Sequence, residues 1–89
     1  MLSAETNIVN RLGLHARAAA LLVKLANSYK TEITIANGPH KANAKSIMEV
    51  LMLAATKGTT VKITADGPDE NEALEAILQL VNNKFNESE

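Results

Sequence analysis

Several residue types that often point to a function are absent or scarce in this chain of 89 residues. It has no cysteine and no tryptophan, and it has one tyrosine and one phenylalanine. Without cysteine there is no disulfide framework, no thiol catalysis and no cysteine-based metal site, which suits a reducing cytoplasm. With so few aromatic residues, the chain offers no stacking platform for the bases of a nucleic acid.

The chain also lacks a charge excess and a long apolar run. Nine basic and ten acidic residues give a net charge of −1, which argues against bulk affinity for nucleic acid or membrane. No signal peptide is recognisable, and no apolar stretch approaches the roughly 20 residues of a membrane span. We therefore expect one cytoplasmic domain over residues 1–89, monomeric, with no cofactor, no metal, and no nucleic acid or membrane partner.

Alternating apolar residues predict four strands, at residues 2–9, 32–36, 41–44 and 61–65. Asn37-Gly38 is a hairpin signal, although Pro39 is expected to lengthen or distort the turn. Helices are predicted at Ala16–Asn27 and from residue 46 to about residue 53. A third helix is predicted from a stripe of apolar residues, with Lys84 in its last turn: Leu74, Ile77, Leu78, Val81 and Phe85. Residues 86–89 are expected to fray.

The order of these elements is β-α-β-β-α-β-α. Strands with one apolar face need a cover, and three helices on one side of an antiparallel sheet supply it. The predicted fold is therefore α+β: an open-faced β-sandwich with a four-stranded antiparallel sheet covered on one face by three helices.

The stretch from Asn10 to Arg17 places a histidine at the start of the first predicted helix. Gly13 can adopt the positive φ of a tight turn, so His15 falls at or near the N-cap. The first N–H groups of a helix lack internal acceptors, and with the helix dipole they attract an anion. Arg17 adds a fork of donors suited to phosphate, and a neutral imidazole is a competent nucleophile. The segment predicts a histidine that becomes phosphorylated.

Each of these residues also has a purely structural interpretation. A lone histidine at a helix start is often a tolerated surface residue, and an arginine in a first turn is often a solvated charge. The combination of Gly13, His15 and Arg17 favours the phosphate site. The second histidine, His40, follows Pro39 and is expected to be a solvent-facing loop residue that makes no metal-binding pattern with His15.

The pattern Gly-Leu-His-Ala-Arg at residues 13–17, followed by Ala18-Ala19, resembles the phosphorylation site of the histidine-containing phosphocarrier protein (HPr) family of the bacterial phosphotransferase system. Residues 43–48 look like that family's second, serine phosphorylation segment, and the likeness covers nearly the whole chain. The resemblance implies the same open-faced sandwich and a carrier protein, not a free-standing enzyme. It also implies a phosphoryl group on Nδ1 of His15, held by Arg17 and by backbone N–H groups of Ala16 and Arg17.

One position departs from that family's pattern. The family most often has proline at position 18, whereas this chain has Ala18. Alanine supplies an additional N–H donor and a less rigid start to the helix. The departure bears on the fine geometry of His15 and indicates a divergent branch.

A carrier of this size must be recognised by larger proteins, so an exposed docking patch is expected on the first two helices. The second helix is apolar nearly all round; Val50 and Leu53 suit the core, and a wholly buried helix is the alternative. Leu21 also fits simple packing at the edge of the first helix. The partner-binding positions are predicted to be Ala20, Leu21, Lys24, Ile47, Met48 and Leu51, the last three of which match positions by which the family contacts partners.

Ser46 and Glu49 form the pattern of a capping box at the start of the second helix. In this interpretation Ser46 caps the Glu49 N–H while Glu49 reaches back. The resemblance adds a regulatory function, phosphorylation of Ser46 by a serine kinase/phosphorylase, although other members of the family keep a serine here without such control. That phosphate would add about two negative charges within the docking patch.

Two functions share these sites. In the first, His15 accepts a phosphoryl group from phosphorylated enzyme I and passes it to a downstream acceptor protein. In the second, the phosphorylation state of His15 or Ser46 selects regulatory partners without net sugar transport, as in the nitrogen branch of the system. A free-standing enzyme is disfavoured because the sequence shows no acid/base partner and no glycine-rich nucleotide loop.

Overall fold

The computed structural model describes residues 1–88, which form four strands, three helices and a short final turn. Along the chain their order is strand, helix, two strands, helix, strand and helix. The elements are β1 Leu2–Asn7, α1 Ala16–Asn27, β2 Glu32–Asn37, β3 His40–Asn43, α2 Ile47–Met52, β4 Thr60–Asp66 and α3 Glu70–Asn82, then the turn Lys84–Asn86. None of the helices in this part of the chain is long and apolar enough to cross a membrane.

The predicted open-faced sandwich is confirmed. The strands lie in the order β1-β4-β2-β3, and every neighbouring pair is antiparallel. Ile33 and Ile35 of β2 are buried, as are Val61 and Ile63 of β4, while the residues between them point to the other, polar face. The buried face packs against the three helices, because α1 presents a stripe of small and aliphatic side chains to it: Ala18, Ala19, Leu22 and Ala26.

The hairpin between β2 and β3 is tighter than predicted. Asn37 pairs with His40, so the loop consists of Gly38 and Pro39 alone. Gly38 has a φ of +61°, the conformation that a two-residue hairpin requires at its first loop position. Proline follows it without lengthening the turn, and β3 begins one residue earlier than the predicted strand at 41–44.

The end of the chain differs most from the prediction. The last helix ends at Asn82, so Lys84 and Phe85 are not part of it. Lys84, Phe85 and Asn86 have φ values of 59°, 54° and 64°, a left-handed run that reverses the chain. Phe85 is buried against the core all the same. Residues 86–88 are not frayed but return to the start of α1, and residue 89 lies outside the described residues.

Candidate functional site

The position of His15 is set by the glycine two residues before it. Gly13 has a φ of +67°, and a Cβ added there would lie 2.6 Å from the carbonyl oxygen of Ala55. The next residue, Leu14, is buried and donates its N–H to the same oxygen at 2.9 Å. Only glycine fits such a close approach in this conformation. The segment before α1 is therefore fixed against the loop that follows α2.

His15 is the N-cap residue of α1, as predicted, but its side chain does not cap the helix. The first helical hydrogen bond runs from the Ala19 N–H to the His15 carbonyl oxygen, at 2.8 Å. The N–H groups of Ala16, Arg17 and Ala18 have no acceptor among residues 1–88. The third of these donors exists because residue 18 is alanine and not proline. The structure thus leaves an anion-binding end on α1 open.

The imidazole of His15 is held by Glu87, a residue of the tail that was expected to fray. Nε2 of His15 makes a short contact with Oε2 of Glu87, 72 positions along the chain. The other carboxylate oxygen, Oε1, accepts a hydrogen bond from Nδ2 of Asn10 at 2.9 Å. The same Asn10 nitrogen donates to the Gly13 carbonyl oxygen at 2.8 Å. Asn10, Glu87 and His15 therefore form one hydrogen-bonded cluster.

Charge and hydrogen bonding keep this carboxylate ionised. The hydrogen bond from Asn10 is the largest cause that lowers the pKa of Glu87 below its usual value, followed by the one with His15. The positive charge of Arg17 lowers the pKa of Glu87 further. Partial burial opposes these effects without cancelling them. An acceptor-only carboxylate thus faces the His15 ring near neutral pH.

The cluster borders an open cleft of about 970 Å³. Arg17 is exposed and lines it together with His15, whose side chain is 28% exposed. Nδ1 of His15 has no hydrogen-bond partner in the described part of the chain. The cleft thus contains a reachable ring nitrogen and a guanidinium at the positive end of a helix. Within residues 1–88 no three metal-binding side chains come together.

Ser46 lies at the other end of α1. Its neighbour Lys45 accepts a hydrogen bond from the Asn27 side chain at the end of that helix, at 3.3 Å. A helix of this length spans about 18 Å, so α1 separates the two predicted phosphorylation sites. Ser46 is the N-cap of α2, and its hydroxyl accepts the Glu49 N–H at 3.4 Å.

The reciprocal half of the predicted capping box is wrong. The Glu49 carboxylate does not return to the Ser46 N–H but accepts the Asn43 N–H at 3.0 Å. The Ser46 N–H instead donates to the Asn43 carbonyl oxygen, also at 3.0 Å. The backbone before α2 turns back on itself, and this brings the Asn43 amide within reach of Glu49.

The predicted docking positions occupy neighbouring helices, since α1 packs against α2. Ala20, Lys24 and Ile47 are exposed, and Leu21 and Leu51 are half-buried. Val50 and Leu53 are buried, as predicted. Two exposed apolar residues were missed, although both stand beside predicted site positions in the sequence: Leu12, at the edge of the cleft, and Met52, next to Leu51. Among the large apolar side chains of α1 and α2, those of Met52 at 80% and Met48 at 66% are the most exposed.

Comparison with known proteins agrees with this geometry. The family described as "PTS HPr component phosphorylation site" matches residues 2–83. The chain belongs to this family. It is 48% identical to the phosphocarrier protein HPr of Cupriavidus necator, over 100% of both chains. It is also 45% identical to the phosphocarrier protein NPr of Shewanella violacea, over 98% of this chain and 96% of that protein.

Among solved structures, the crystal structure of HPr-C-His from Thermoanaerobacter tengcongensis superimposes with a TM-score of 0.96. The two chains are 40% identical, and each is covered completely. The open-faced sandwich is thus the fold of this family. A phosphocarrier role within the phosphotransferase system follows from membership, and it is the role of a carrier protein, not of a catalyst.

Proposed function

We propose that His15 is the residue that carries the phosphoryl group. The observation that carries this proposal is the position of the ring. It lies at the open N-terminus of α1, beside the exposed Arg17, with Nδ1 unoccupied by any described residue. Backbone donors and a guanidinium at one end of a helix suit a phosphoryl group that develops and keeps negative charge.

The transfer is a balanced exchange of one bond for another. The Nδ1 lone pair attacks the phosphorus of a phosphorylated donor, the Nδ1–P bond forms, and the bond from phosphorus to the donor breaks. The electron pair of the broken bond leaves with the donor. The reverse exchange delivers the group to an acceptor. Arg17 and a few backbone donors stabilise the transferring group, and a larger set of cations in contact with it would hold it too tightly for release.

The donor in this proposal is phosphorylated enzyme I, and the acceptors are downstream proteins of the phosphotransferase system, in the cytoplasm. They dock on the exposed surface of α1 and α2 beside the cleft. Two features favour this surface: its apolar side chains are more exposed than packing requires, and methionine adapts to several partners. The docking positions are those of the sequence analysis: Ala20, Leu21, Lys24, Ile47, Met48 and Leu51.

The experiment that tests the proposal is phosphoryl acceptance by His15→Ala in the presence of enzyme I and phosphoenolpyruvate. We expect complete loss of incorporated phosphate with an unchanged fold, because the nucleophile is removed and the side chain is not part of the core. His40→Ala is the matched control, since His40 is an exposed histidine on the hairpin. Incorporation into the His15→Ala variant at the wild-type rate would disprove the assignment.

A regulatory role is the second candidate, and the likeness to a protein named NPr is what favours it. In that case phosphorylation of His15 or Ser46 changes which proteins bind, without net sugar transport. Mixing the phosphorylated chain with membranes that contain sugar-specific acceptors separates the two functions. Formation of sugar phosphate supports the relay. Its absence, with partner binding that depends on phosphorylation, supports the regulatory role.

A further inference from the structure

We propose that Glu87 determines which ring nitrogen of His15 acts as the nucleophile. Its carboxylate takes the hydrogen bond of Nε2, so the ring proton stays on Nε2 and the lone pair stays on Nδ1. Glu87 is thus a positioning residue that acts through His15. The inference rests on the carrier function proposed above for His15, but its test does not.

The first step is the direction of the hydrogen bond. An ionised carboxylate only accepts hydrogen bonds, so the His15 nitrogen that faces it must be the donor. A neutral imidazole has one N–H, and with that proton on Nε2 the other nitrogen carries a free lone pair. The partner of one ring nitrogen therefore fixes the chemistry of the other.

The second step is the orientation of the carboxylate, which Asn10 sets. The Asn10 side chain is fully buried, and its nitrogen donates to both the Gly13 carbonyl oxygen and Oε1 of Glu87. Because both neighbours are acceptors, a flipped Asn10 amide would place oxygen against oxygen. The Asn10 oxygen is buried without a hydrogen-bond partner in the described part of the chain. An amide that leaves its own oxygen unpaired in this way is held by its nitrogen.

The third step is how Glu87 reaches the ring. The left-handed run at Lys84–Asn86 reverses the chain, and the buried Phe85 anchors the turn. Glu87 follows this anchor by two residues, and its side chain is only 15% exposed. The charged groups around the ring are then Glu87 from the tail, Arg17 from α1, and Arg11 from the loop that borders the cleft. The carboxylate is thus held in place by the fold.

The consequence for transfer is that no proton has to move on the ring. When the Nδ1–P bond forms, the ring becomes an imidazolium with its proton still on Nε2, and the Glu87 carboxylate stabilises that charge. When the Nδ1–P bond breaks, the electron pair returns to Nδ1 and the neutral ring leaves. The same carboxylate thus favours the nucleophile in one direction and the leaving group in the other.

The sharpest test is Glu87→Gln, which keeps the shape of the side chain. The Asn10 nitrogen requires an acceptor, so the glutamine oxygen takes the place of Oε1 and the NH₂ group faces His15. His15 Nε2 must then accept, and the ring proton moves to Nδ1. Nitrogen NMR of the unphosphorylated chain near pH 9, well above the range in which histidine titrates, reports which ring nitrogen carries the proton.

We expect Nε2 to be protonated in the wild-type chain and Nδ1 in Glu87→Gln. Phosphoryl acceptance by the glutamine variant should be slower by about 10- to 100-fold, the range found for residues that orient a histidine through its other ring nitrogen. Glu72→Gln is the matched control, because Glu72 is exposed in the first turn of α3. It should change neither signal nor rate.

A proton that stays on Nε2 in Glu87→Gln, with the tail still docked, would overturn the inference. If the variant releases the tail, a second measurement is the rate at which the His15 Nε2 proton exchanges with water, in the wild-type chain and in Glu87→Ala, where the proton has no carboxylate partner. Equal exchange rates in these two chains would also overturn the inference. If the tautomer inverts in Glu87→Gln but the wild-type chain accepts no phosphate, the control of the tautomer by Glu87 stands and the proposed role of His15 as the phosphoryl carrier is refuted.

Discussion

α1 and α2 both begin at a polar N-cap residue with extended backbone, but the two side chains act differently. Ser46 turns its hydroxyl towards its own helix and accepts the Glu49 N–H three residues on. The His15 side chain makes no such bond to its own helix, and its Nε2 contacts Glu87 instead, 72 positions distant. The start of α2 thus has one N–H capped by its own N-cap side chain, whereas no side chain caps the start of α1.

Because of this difference, the start of α1 can accept an anion directly, whereas Ser46 must first give up the hydrogen bond by which it caps α2. A phosphoryl group on His15 meets unpaired N–H groups at the start of α1, whereas one on Ser46 takes over an oxygen that already caps α2. The helix dipole favours negative charge at both ends. The contrast therefore favours His15 over Ser46 as the site of the exchangeable phosphate that we propose.

The largest expected effect comes from breaking the backbone that presents His15. Gly13→Ala places a Cβ against the Ala55 carbonyl oxygen in a left-handed conformation. We expect the free energy of unfolding to fall by about 3 kcal/mol, from backbone strain plus steric overlap. Gly38→Ala is the control, because a Cβ there meets nothing within 4 Å and only the strain of about 1 kcal/mol remains. If urea denaturation shows equal losses of unfolding free energy in Gly13→Ala and Gly38→Ala, this account is contradicted.

Removing the guanidinium should affect transfer and leave the fold intact. Arg17→Ala is expected to raise the barrier to phosphoryl acceptance by about 2 kcal/mol, which is more than a tenfold loss in rate, because it removes a charge-assisted hydrogen bond. Arg17 is exposed, so the free energy of unfolding should change by less than about 0.5 kcal/mol. The rate of phosphoryl acceptance by Arg17→Lys, which keeps the charge but loses the planar fork, should lie between those of wild type and Arg17→Ala. A rate for the alanine variant equal to wild type would place Arg17 outside the site.

A smaller effect is expected at the N-terminus of α2, where Ser46 is the cap. Ser46→Ala removes the cap of α2 and should lower the free energy of unfolding by about 1 kcal/mol. Ser46→Asp keeps a capping oxygen and should retain most of this stability. If Ser46 lies in the docking patch, the aspartate should weaken binding of enzyme I more than the alanine does, measured by calorimetric titration. Equal affinities would remove Ser46 from the interface.

The smallest effect is a dependence on pH. The pKa of Glu87 is lowered in the folded chain, chiefly by the Asn10 hydrogen bond. A lowered carboxyl pKa stabilises the fold above the unfolded value of 4.5 and loses this stabilisation as pH falls through the folded value. The difference in Tm between wild type and Glu87→Gln should therefore shrink as the pH falls below 4.5. A difference that grows as the pH falls below 4.5 would contradict the assigned hydrogen bonds.

The sheet, its three helices and the position of His15 were predictable from the sequence because their signals are local. Alternation marks β2 and β4, and the alanine-rich run marks α1 within its observed bounds. Gly13 indicates the turn before the N-cap, and Ser46 indicates the start of α2. In each case residues within four positions of one another carry the information, and tertiary packing agrees with them.

The tail was not predictable in the same way, because Phe85 stands four residues after Val81 and continues the helical stripe in the sequence. In the structure Phe85 reaches the core from a reversed chain instead. The available signal was Asn82-Asn83, since asparagine often ends a helix and tolerates a left-handed conformation. The partnership of Glu87 with His15 had no local signal at all, because it joins residues at opposite ends of the chain.

The measurement that tests the central claim most directly is combined phosphorus and nitrogen NMR of the wild-type chain after incubation with enzyme I and phosphoenolpyruvate. The account predicts an acid-labile signal in which phosphorus couples to Nδ1 of His15 while Nε2 remains protonated. Phosphorus on Nε2 or on another residue, or a folded chain that accepts no phosphate, would contradict it.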